Sequence, residues 1–168
     1  MKTLRKIIVF AALLLLLSWR PDYDHLDWTE YYPVLMHKAD LENSVINLQP
    51  QDFVNSGKVY IYGNNIYIVE LYKGIHVIDN SSPSTPEKIG FINIPGTIDV
   101  AIKDNVLFAD NAVDLVSIDI SAYPTIQVLN RVSDVFPELT PPDLDFIPYG
   151  YSVYSRPVNT VIVAWVKK

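Results

Sequence analysis

An all-β fold of two tandem four-stranded antiparallel units is what this sequence predicts, and three observations carry that expectation. Gly74-Ile75-His76-Val77-Ile78-Asp79 returns forty residues later as Asp114-Leu115-Val116-Ser117-Ile118-Asp119. The same offset sets residues 57–62 over 97–102, 65–68 over 105–108 and 87–92 over 127–132. Each apolar run is short and bounded by Gly, Pro, Asn or Asp, the punctuation of strands and turns.

Four short strands in about forty residues is the unit of a β-propeller blade. The run at residues 74–79 is apolar on both faces, with Ile75 and Val77 on one and Ile78 on the other. That suits a sheet sandwiched between two neighbours; an ordinary meander sandwich, the alternative, would leave one face wet. Asn64-Asn65 and Asp104-Asn105 are tight-turn dipeptides, since both residue types tolerate positive φ. Pro83 and Pro86 separate the third strand from the fourth. At Ser121-Ala122-Tyr123-Pro124 the second copy is expected to carry one extra residue. Pro95-Gly96 is the turn between copies.

In chain order, residues 1–19 read as a signal helix for export. Lys2, Arg5 and Lys6 precede an unbroken apolar run over residues 7–17, too short for a comfortable membrane span. The expected location is therefore the periplasm or cell envelope. Membrane contact would come only through this segment, if it stays uncleaved. Leu16-Leu17-Ser18-Trp19 has the shape of a lipid-attachment site with Trp19 where the cysteine would stand.

Residues 20–56 read as a linker and a short helix. Asp22, Tyr23, Asp24, His25, Trp28, Tyr31 and Tyr32 form either a stacking platform for sugars or a linker whose aromatics pack on the first sheet. Leu41, Val45 and Leu48 at i, i+4 and i+7, with Asp40 and Glu42 nearby, predict a helix within residues 35–48 that ends before Pro50 and caps the first unit. The units themselves take residues 57–96 and 97–136. Residues 137–159, with five prolines and Tyr149, Tyr151 and Tyr154, predict a long surface loop, partly disordered. Residues 160–168 predict a strand that adds to an existing edge or begins a third sheet.

Composition narrows the function classes. The net charge is −6 and the 13 basic residues are scattered, which argues against a nucleic-acid partner. The chain has no cysteine, so disulfides, thiolate metal sites and cysteine nucleophiles are excluded. His25, His37 and His76 sit at no metal-ligand spacing. His76, in mid-strand, reads as a packing or surface residue. Asp99, Asp104, Asp110 and Asp114 offer oxygens for Ca²⁺ but lack the spacing of a calcium loop. Asp79 and Asp119, each before a Ser-containing turn, read as caps of the following N–H groups. Asn80-Ser81-Ser82 matches a glycosylation sequon, set aside because the export segment is of bacterial type. No catalytic, cofactor or metal residue is expected.

Ile75-His76-Val77-Ile78-Asp79-Asn80-Ser81-Ser82-Pro83 and Leu115-Val116-Ser117-Ile118-Asp119-Ile120-Ser121 resemble the LVIVD repeat, an aliphatic run ending in Asp before a Ser/Asn-Pro turn. Residues 31–168 are similar to the N-terminal part of longer exported LVIVD-repeat proteins of Bacteroides-type bacteria, a family without an assigned activity. The resemblance implies a partial β-propeller and a non-enzymatic binding or scaffolding module with an unknown protein or glycan ligand. The alternatives are a carbohydrate-binding protein or envelope enzyme, and a truncated remnant of a longer protein. Open blade edges imply possible self-association.

Overall fold

The computed structural model describes residues 28–168; the signal segment at residues 1–19 and His25 lie outside them. The described chain is all-β and antiparallel. Its elements are β1 (Tyr31–His37), α1 (Lys38–Glu42), β2 (Ile46–Leu48), β3 (Ser56–Tyr62), β4 (Asn65–Glu70), β5 (Gly74–Asp79), β6 (Glu87–Asn93), β7 (Val100–Lys103), β8 (Val106–Asn111), β9 (Asp114–Asp119), β10 (Gln127–Val132) and β11 (Thr160–Lys167). Sheet one has the order β2-β6-β5-β4-β3, sheet two has β10-β9-β8-β7, and β1 pairs with β11 apart from both.

The two larger sheets share a detailed plan. Strands β3–β6 and β7–β10 are each a meander, and both carry a bulge at the same place in the last hairpin, at Ile89 opposite Val77 and Ile78 and at Leu129 between Val128 and Asn130. The loops 80–86 and 120–126 have equal length, so the extra residue expected near Pro124 is absent. The length difference lies instead before the third strand, where residues 71–73 join β4 to β5 but only Ala112 and Val113 join β8 to β9. Tyr62 pairs with Asn65 and Lys103 with Val106, so these hairpins repeat at one residue more than the forty of the later strands. The turns follow: Asp104 and Asn105 both have positive φ, the pattern of a type I′ turn, while the first turn is Gly63-Asn64 rather than Asn64-Asn65, with Gly63 at φ 58°.

One core lies between the sheets. Tyr67, Val69, Ile75, Val77 and Ile92 project from sheet one against Val100, Ile102, Leu107, Val116 and Ile118 of sheet two. Cross-strand pairing puts each set on a single face. Tyr60 fastens the stack at β3, its hydroxyl donating to the Ile102 carbonyl at 3.0 Å. Tyr123 reaches from sheet two over Gly90, with its hydroxyl 3.0 Å from Asn47 Oδ1, and burial pushes its pKa up to about 12.

The N-terminal expectation is corrected. Tyr31 and Tyr32 belong to a strand, not a linker, and the helix is only Lys38–Glu42. Asn43 Nδ2 bonds back to the Ala39 carbonyl and Ser44 Oγ to the Leu41 carbonyl, which ends the helix after little more than a turn. Ile46–Leu48 then joins β6 as a fifth strand of sheet one. The cap on that sheet is supplied by segment 49–55, whose Phe53 ring lies 4.3 Å from the His76 ring.

The loop 137–159 is pinned, contrary to the expected partial disorder. Asp143 accepts from Thr29 Oγ1 and Glu30 N, both at 2.7 Å. Arg156 is buried against Glu138, and Trp165 Nε1 donates to the Leu139 carbonyl at 2.9 Å. The C-terminal strand adds to neither large sheet; it pairs with β1, and the pair packs through Met36, Val161 and Val163 on Leu41, Ala112 and Val113.

Candidate functional site

Alternation along β8 and β9 turns one set of side chains into the core and the other outward. The outward face of sheet two carries Ala101, Phe108, Asp110 and Leu115. Beside it run Phe136, Pro137 and Leu139, held by two bonds from the Val135 and Phe136 N–H groups to the Val113 carbonyl, at 2.8 and 2.9 Å. Between them opens a groove of about 510 Å³ with an apolar floor. Phe108, in its lining, remains 38% exposed.

The groove's three carboxylates are already engaged. Asp99 pairs with Lys58 and accepts from Val100 N at 2.6 Å; the Lys58 ammonium is the main reason its pKa is lowered. Asp110 accepts from the N–H groups of Ile98 and Asp99 and from Thr97 Oγ1, folding the connection over residues 97–99 around itself. Burial pushes the Asp110 pKa up, partly offset by those donors. Glu138 is paired with Arg156.

These contacts also settle where the four candidate calcium ligands go. Asp114 sits in another place, bonded to Arg131 at 2.8 Å and to Asp134 N at 3.0 Å, while Asp104 occupies the β7–β8 turn. Among the described residues no three His, Asp or Glu side chains converge. Asp79 and Asp119 each accept from the N–H two residues on, at Ser81 and Ser121, both at 2.8 Å. The Ser81 and Ser121 donors hold both carboxyls below their ordinary range. His37 stands exposed at the end of β1, far in the chain from His76.

A second arrangement lies on the outward face of sheet one. His76 is fully buried, and its Nε2 is 3.1 Å from Glu70 Oε2. Phe53 and Phe91 flank the imidazole, at 4.3 and 4.9 Å between ring centres. Glu70, 1% exposed, accepts from Val54 N at 3.1 Å and from Asn55 N. Burial alone would raise its pKa; the Asn55 and Val54 N–H groups and His76 outweigh that and lower it. Glu70 and Lys73 also border a cleft of about 390 Å³ with Phe91 and Asn93. Sequence reading took His76 as a packing or surface residue and missed Glu70. The available signal was a lone carboxylate closing the apolar run Ile66-Tyr67-Ile68-Val69, a position that requires a buried partner.

The tyrosines do not gather. Tyr149 and Tyr154 are exposed, Tyr151 packs edge-on to Trp165 at 5.7 Å, and Tyr32 lies under the Lys168 ammonium at 5.0 Å. None of them borders either groove. Among the described residues no helix is long and apolar enough to cross a membrane. Compared with protein-family models, curated proteins and solved structures, the chain matches none of them.

Proposed function

We propose that the chain is an exported, non-enzymatic binding or scaffolding module of the bacterial cell envelope, built from two LVIVD-like blades of a partial β-propeller. The observation that carries this reading is the groove on the outward face of sheet two. Its floor is apolar, its lining holds the solvent-exposed ring of Phe108, and its carboxylates are spent on Lys58, Arg156 and backbone N–H groups. Such a surface suits an apolar partner better than a charged substrate, since contiguous exposed apolar area marks interaction sites. The repeat plan and the short apolar N-terminal run support the blade and export parts of the reading.

Titrating the full chain with an anilinonaphthalene dye tests the groove. Saturable binding that weakens in Phe108→Asp is expected. A saturable tryptophan-fluorescence change with a glycan panel, unaltered in Phe108→Asp, would favour the carbohydrate-binding alternative, for which the exposed Tyr149 and Tyr154 are the structural argument.

A further inference from the structure

The register of the two sheets shows how they stack. Tyr67 pairs with Val77 in sheet one, and the matching pair in sheet two is Phe108 with Ser117. Ile66 pairs with Ile78, and its counterpart is Leu107 with Ile118. Tyr67 and Val77 lie in the core, as do Leu107 and Ile118. The sheets therefore pack head to tail, one face type of the first on the opposite face type of the second.

Each outermost face is then the type that its counterpart buries. Phe108 holds the place of the covered Tyr67. On the other end, segment 49–55 lies over β5 and β6 and reaches β4 at its last residue, Glu70. Among the described residues nothing covers the rest of the β3–β4 half, where Val59 is 56% and Ile61 68% exposed beside the half-buried Ile66 and Ile68. Inside the chain β3 lies over β7, as the Tyr60–Ile102 bond shows.

We infer that the groove of one copy receives the β3–β4 face of a second copy, so that chains associate head to tail. This rests on the reading of the groove as a site for an apolar partner. The interface continues the packing already present between the two sheets: Val59 and Ile61 of the incoming copy meet Ala101 and Phe108. Edge strand β3 is the natural leading element, because Val59 and Ile61 point outward and, among the described residues, it has a strand neighbour on one side only. A heterologous contact of this kind builds a ring if the rotation closes and a filament if it does not.

The test is sedimentation velocity of the full chain over a concentration series, with the double variant Val59→Asp/Ile61→Asp and the variant Phe108→Asp. All three carry the same N-terminal segment, so differences report the two faces. Wild type is expected to grow in mass with concentration, and each variant to associate at least roughly tenfold more weakly. Mixing the two variants should restore association through the one intact pair of faces and stop at a heterodimer. Urea midpoints matching that of wild type, all measured at dilution below the onset of association, confirm that the variants fold, as expected for exposed positions. A wild-type chain that stays monomeric, or a mixture that does not pair, overturns the inference. Retained dye binding in that case would leave the groove reading intact, whereas lost dye binding would remove both.

Discussion

Replacing Glu70 with Gln tests what holds the cap on sheet one. The Glu70 carboxylate receives the Val54 and Asn55 N–H groups and His76, all on a side chain that is 1% exposed. Hydrogen bonds to a charged acceptor contribute about 1.5–3 kcal/mol each. Gln keeps the shape and one acceptor oxygen but places an NH₂ group among donors. The expected loss is about 2–4 kcal/mol, read as a lower urea midpoint at constant m-value. The pH dependence gives an independent check. A carboxyl held below its ordinary range binds its proton more weakly in the folded chain than in the unfolded one. Its contribution is complete above the ordinary carboxylate range and fades as pH falls through the lowered value. Asp79, Asp99, Asp119 and Asp143 act in the same direction, and Asp110, whose pKa is raised, acts in the opposite one. The informative quantity is therefore the difference between wild type and Glu70→Gln, which should shrink as the medium is acidified. A variant within about 0.5 kcal/mol of wild type at neutral pH would refute the reasoning, since that is the range of ordinary surface changes. So would a difference that does not change with pH.

Other substitutions probe the core and the joints. Ile118→Ala removes a fully buried side chain between the sheets and should cost about 2–5 kcal/mol by thermal or urea unfolding. Gly90→Ala should destabilise as well, because a Cβ there would stand 1.8 Å from the Tyr123 hydroxyl; Gly90→Ala combined with Tyr123→Phe should recover part of the loss in the same measurement. Arg131→Met breaks a pair with Asp114 and a bond to the Leu41 carbonyl, so about 3–5 kcal/mol is expected, with earlier proteolysis around α1.

Much of this architecture was legible in residues 57–132, where each strand's partner is its neighbour in sequence. Alternation and turn chemistry then suffice, and β5 is indeed buried on both faces from Gly74 to Ile78. The turn register was legible only to within a residue, because Gly63, Asn64 and Asn65 all tolerate the geometry and the compensating length change lies in 71–73. Residues 31–48 misled because Leu41, Val45 and Leu48 satisfy a helical period, while the partners that make strands here, β11 and β6, are remote in sequence. The loop 137–159 misled for a related reason: its prolines are local, whereas the contacts that order it, Asp143 with Thr29 and Trp165 with the Leu139 carbonyl, are tertiary. The groove could not be read at all, since Phe108 and Phe136 come to line one groove only after sheet two has formed.

The last residue of the second strand unites the two sheets better than any motif does. Glu70 ends β4 and Asn111 ends β8, and the hairpin register makes them counterparts. Both are buried and polar. Glu70 holds the backbone of residues 54 and 55 as the chain approaches β3; Asn111 Nδ2 holds the Pro95 carbonyl, at 2.7 Å, as the chain approaches β7. In both sheets the approaching segment crosses the strand end without strand partners of its own, so its backbone groups need a side chain to satisfy them. A carboxylate serves where N–H groups face inward, and an amide serves where a carbonyl does. The Glu70–His76 pair is then accounted for by architecture: a buried carboxylate that fixes a backbone requires a further donor, and the β5 position beside it supplies the imidazole. The position in sheet two corresponding to His76 is Val116, which has no carboxylate to answer.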